Sequence, residues 1–177
     1  MGTRPPRRSL VILVALVCVA CGGEGASPRA PTVEALGEAV FESIRDHDVE
    51  GVLAYLMTPD DAEWVIARTE QATASDERRT KELRRAASDE GRQEAREDWE
   101  KIHARAEGEG IVWSKTVFDE VTHDARELWP GVHAGRAYLT FRHGEARYVI
   151  RLGEAVLKIE DRWVLLPEAR WQGKERD

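Results

Sequence analysis

The chain has 177 residues, 42% of them hydrophobic and 33% charged, which fits a single domain with enough apolar material for a core. Its formal net charge of −7 makes it a poor match to nucleic acid, which rewards basic surfaces. Both cysteines, Cys18 and Cys21, fall near the N-terminus, so a disulfide framework is excluded and the rest of the chain must be held by packing.

The N-terminus carries the clearest signal. Arg4, Arg7 and Arg8 precede Leu10 to Ala20, LVILVALVCVA, an uninterrupted apolar run. A bilayer span needs roughly 20 apolar residues, whereas the apolar region of a secretory signal takes ~7–15. The run ends in Val19-Ala20-Cys21-Gly22, which resembles the lipobox of bacterial lipoproteins; Cys18 stands where that family most often has Leu. The resemblance implies that residues 1–20 are a signal peptide and that Cys21 is lipidated after cleavage. The membrane is then a partner, reached through several acyl chains on one residue, since one chain holds a protein only marginally. It implies a place in the cell envelope, on the outer face of the cytoplasmic membrane or on the outer membrane. Cleavage would leave 23 basic and 33 acidic side chains, a charge of −10. Arg7-Arg8-Ser9-Leu10-Val11 also resembles a twin-arginine export signal, but an ordinary basic leader explains it as well.

Residues 21–31 read as the lipidated cysteine and a flexible tether rich in Gly, Ser and Pro, and residues 32–177 as one domain. Within it, helices are expected over about 33–107. Val33, Leu36, Val40 and Ile44 mark one helical face, Asp48 is a good N-cap for a helix from Val49 to Met57, and Thr58-Pro59-Asp60-Asp61 is a helix start. Residues 76–105 hold nine acids and nine bases around a thin stripe of Leu83, Ala87, Ala95, Trp99, Ile102 and Ala106. They predict one long surface helix, bent near Gly91 and ended by Gly108-Glu109-Gly110.

Strands are expected over about 111–166. Ile111 to Val121 predicts a strand and residues 122–135 a loop. Gly144-Glu145 and Gly153-Glu154 suit two-residue hairpin turns. Together with a three-residue turn at Glu160 to Arg162 they predict a four-stranded meander, with Phe141 opposite Tyr148, Leu139 opposite Ile150, Ile150 opposite Leu157, and Trp163 opposite Ile159. That register turns Arg142, Arg147, Arg151 and Lys158 outward together, with no evident partner for Arg142. The expected stripe would meet an anionic envelope component or a protein partner, unless it is simply a solvated strand face.

Helices followed by a meander predict an α+β domain, with N-terminal helices on one face of a curved antiparallel sheet of four to five strands. IRDHDVEGVLAYL (Ile44 to Leu56) and KIEDRWVLL (Lys158 to Leu166) resemble the nuclear transport factor two-like (SnoaL-like) superfamily; a cystatin-like helix on a sheet is the alternative. Members of that superfamily that are enzymes work in the cone between helices and sheet, so a small isomerase or hydrolase is one implied function. No position here matches their acid/base residues. Asp119, Glu120 and Asp124 near His123 could be drawn as an acid/base group, but they equally describe a strand end entering a polar loop. His47, His103, His123, His133 and His143 match no metal-ligand spacing, so neither metal nor cofactor is expected. Of six tryptophans, Trp129 and Trp171 are the two expected to be exposed. The leading reading is a membrane-anchored, non-catalytic binding or interaction module.

Overall fold

The structure is a computed structural model that describes residues 28–72 and 77–175. The apolar run, Cys21 and the Gly-rich residues up to Ser27 lie outside the described residues.

The domain is α+β, with five helices leading into eight strands among the described residues. Helix α1 (Val33–Arg45) begins at Thr32, whose hydroxyl accepts the Ala35 N–H at 3.0 Å. Val33, Leu36, Gly37, Val40, Phe41 and Ile44 form its buried face. Asp48 caps the short α2 (Val49–Leu53) by accepting the Gly51 N–H at 2.9 Å. Helix α3 (Pro59–Ala72) starts at the Thr-Pro-Asp-Asp motif. Where one long charged helix is expected there are two, α4 (Glu77–Ala86) and α5 (Asp89–Gly108). Ser88 separates them and caps α5 by accepting the Gly91 N–H. Among the described residues, no helix is long and apolar enough to cross a membrane.

The strands form two four-stranded antiparallel sheets. One has the order β1 (Thr116–His123), β4 (Ala137–His143), β5 (Ala146–Arg151), β8 (Arg170–Lys174). The other has the order β2 (Arg126–Trp129), β3 (Val132–Gly135), β6 (Val156–Ile159), β7 (Arg162–Leu165). The β4–β5 hairpin has the expected register, with Leu139 opposite Ile150 and Phe141 opposite Tyr148.

The remainder of the predicted meander is corrected. Strand β5 pairs with β8, not with β6, and the chain crosses between sheets at Leu152 to Ala155. Gly153 is buried there, and a side chain is excluded because the Leu166 carbonyl lies 2.2 Å from where a Cβ would stand. The β6–β7 turn has two residues, not three, so Trp163 faces Lys158 and Val164 faces Leu157. The expected loop at 122–135 contains the β2–β3 hairpin. The expected strand from Ile111 starts later, after a 3-10 turn at Trp113–Lys115.

Two cores result. The larger lies between α1, α5 and the first sheet and holds Leu36, Phe41, Trp99, Leu139, Phe141 and Ile150, each at most 2% exposed. The smaller lies under α3 and includes Val65, Val132, Leu157, Ile159 and Val164. Strand β7 serves both, sending Trp163 and Leu165 into the first and Val164 into the second. The packed domain starts before residue 32: Ala30 is buried and its carbonyl accepts the Trp163 N–H at 2.8 Å.

Candidate functional site

Three of the four predicted surface cations share a sheet. Arg142 lies opposite Arg147 on β4 and β5, and Arg151 follows on β5. Lys158 does not join them; it sits on β6 of the second sheet, opposite His133 and Trp163. Nor is the face an unbalanced cationic stripe. A register shift in β1 between Phe118 and Glu120 breaks strand alternation, and both Asp119 and Glu120 reach the arginines. Arg147 meets Asp119 at 2.9 Å, Glu120 at 2.5 Å and Glu175 at 3.0 Å. Arg142, expected to lack a partner, lies 3.5 Å from Asp119. Arg151 donates to the Glu168 carbonyl at 3.1 Å. These contacts relieve the repulsion of Arg142 facing Arg147 and leave the face near neutrality.

The residues considered for acid/base work disperse. Asp119 and Glu120 serve Arg147, His123 lies 3.6 Å from Glu34, and Asp124 accepts the Arg136 N–H at 2.6 Å. The space between α1 and the first sheet, where a cone would be, is filled by Val40, Phe41, Phe118, Leu139 and Phe141. The described cavities open at the surface. One of about 530 Å³ lies where α2 and α3 meet the α4–α5 break, with Leu53, Met57, Ala87 and Arg92 in its wall. Another of about 500 Å³ lies beside α5 and β8, lined by Ile102, Ala169 and Trp171. Trp129 and Trp171 are half-buried rather than exposed. The Arg79 guanidinium lies 4.9 Å from the Trp129 ring, while Trp171 stacks on Tyr148 and donates its indole N–H to Glu109 at 2.8 Å.

One cluster escaped the sequence reading. His47 occupies the turn between α1 and α2 with φ of 57°, and His103 and Glu107 lie one turn apart on the same face of α5. One donor atom from each of the three falls within 4.8 Å of the others. The His47 and His103 rings stack at 4.4 Å, and His103 also meets Trp113 at 4.9 Å. His103 is half-buried, and its Nδ1 is buried without a hydrogen-bond partner, which ordinarily costs about 1–3 kcal/mol. Burial, reinforced by the neighbouring His47, pushes the His103 imidazole down to about 4, with Glu107 pulling the other way. The ring is therefore neutral at physiological pH, with one nitrogen lone pair free to accept or ligate. The sequence signal is the His103-Ala-Arg-Ala-Glu107 spacing on a helix; what hides the site is the 55 residues between His47 and His103.

Comparison with protein-family models, with curated proteins and with solved structures finds no match to the chain.

Proposed function

We propose that the chain is a cell-envelope lipoprotein whose α+β domain works as a binding module anchored to a membrane through lipid on Cys21. The observation that carries this reading is the apolar run closing in Val19-Ala20-Cys21-Gly22 behind Arg4, Arg7 and Arg8. The binding role is supported by the filled interior. Phe41, Leu139, Phe141 and Ile150 occupy the region where the nuclear transport factor two-like resemblance would put a reaction cone. The cavities of about 530 and 500 Å³ open instead at the surface, where a ligand or partner can reach them.

Metabolic labelling with a fatty acid tests the anchor. The full chain should take up label and sediment with membranes, and Cys21→Ser should do neither. Label retained on the Ser variant would refute the reading.

A further inference from the structure

We propose that His47, His103 and Glu107 form a binding site for a divalent transition-metal ion of the zinc class. Two imidazoles and one carboxylate suit such an ion, while calcium and magnesium prefer all-oxygen shells. Three protein ligands also leave a fourth position for water or for a donor atom of an external molecule.

The placement makes coordination accessible. Bonds of ~2.0–2.2 Å in a tetrahedral site put neighbouring donor atoms about 3.3–3.6 Å apart. Since all three donors already lie within 4.8 Å of one another, closing on an ion takes an approach of at most about 1.5 Å together with a reorientation of the rings. The rings stack at an interplanar angle of 30°, so their in-plane lone pairs do not yet converge. His47 is exposed and supplies the movement by rotating its ring; half-buried His103 stays against Trp113 as the fixed ligand. Glu107, also exposed, swings on the same face of α5. The buried Nδ1 of His103, which has no hydrogen-bond partner, leaves the ring with unmet bonding capacity that a metal ion would use. His47 reaches α5 because its left-handed backbone ends α1 and turns the chain into α2.

The full-length protein, purified in detergent and stripped with a chelator, should be titrated with zinc chloride by calorimetry. One equivalent should bind saturably. His47→Asn keeps a residue that tolerates the left-handed backbone, and Glu107→Gln keeps the shape of the side chain, so both should fold. Each should weaken affinity by more than the roughly 10–100-fold expected for loss of a mere supporting hydrogen bond. His143→Gln, outside the cluster, should bind as the parent does. Cobalt(II) in place of zinc should give the visible absorption of a tetrahedral ion, and both cluster variants should lose it. Absence of saturable zinc uptake, or uptake equal in the parent and both cluster variants, would reduce the cluster to a packing stack. The Cys21 labelling result is independent of either outcome.

Discussion

Asp61 is buried at the start of α3, yet every contact it makes is specific. One carboxylate oxygen accepts the Thr58 N–H at 2.9 Å and the Thr58 hydroxyl at 2.8 Å, and that hydroxyl in turn faces the Asp61 N–H at 3.3 Å, closing a reciprocal cap. The other oxygen accepts from the Arg162 guanidinium on β7 at 2.6 Å, and the two side chains are 7% and 17% exposed. A buried ion pair is weak evidence of net stability, but removing one partner strands the other in low dielectric. Asp61→Ala should therefore cost about 3–5 kcal/mol, read from the urea midpoint, and Asp61→Ala with Arg162→Met should recover part of that loss. Asp60→Ala, one residue away and exposed, should move the midpoint by less than about 0.5 kcal/mol. Equal losses at positions 60 and 61 would show that the cap and the pair do not hold α3 to β7. Thr58 to Asp61 is legible in the sequence as a helix start, but nothing local pairs Asp61 with a residue 101 positions away.

At the scale of elements, the α4–α5 break shows how packing overrides propensity. Gly91 sits in the first turn of α5, where a Cβ would come within 2.5 Å of the Ala86 carbonyl and 2.6 Å of the Arg85 carbonyl. Gly91→Ala gains up to about 1 kcal/mol of intrinsic helix propensity. The clash with backbone atoms should outweigh that gain, leaving a net loss of about 1–3 kcal/mol in a thermal melt. A raised melting temperature would mean that α4 yields freely. The legible and illegible parts of the fold divide along similar lines. Helix starts at Asp48 and Thr58, the stripe from Ala87 to Ala106, and the β4–β5 register are local, and all were readable. The expected β5–β6 pairing fails because Val156, Leu157, Ile159, Val164 and Leu165 are apolar on both faces, so alternation cannot choose a register. The true partner of β5, Arg170–Lys174, looks like a charged tail and gave no strand signal. The sequence shows the arginines sharing a face but not their neutralisation, since the β1 bulge that delivers Asp119 and Glu120 has no mark in the sequence.

For the whole molecule, the sharing of β7 between two cores ties their fates together. Leu139 is fully buried in the larger core and Leu157 is 4% exposed in the smaller. Leu139→Ala and Leu157→Ala should each cost about 2–5 kcal/mol. In both variants, far-UV dichroism and tryptophan fluorescence should still report one coincident transition, because neither core can melt without releasing Trp163, Val164 and Leu165. A biphasic curve in the Leu157 variant would show that the second core melts alone. The early start of the packed domain sets a different limit. The Ala30 carbonyl is fastened to Trp163, and Arg29 lies 3.5 Å from Asp161 in the β6–β7 turn. Eight residues of chain lie between Cys21 and Ala30, a contour of at most about 32 Å over nine steps of ~3.3–3.6 Å. On a lipid anchor at Cys21, that is a short leash. It would keep the β6–β7 turn close to the headgroups and confine the domain to a thin layer over one leaflet. Encounters with other residents of that leaflet would then be searches in two dimensions at high effective concentration, while a partner fixed across the envelope would stay out of reach.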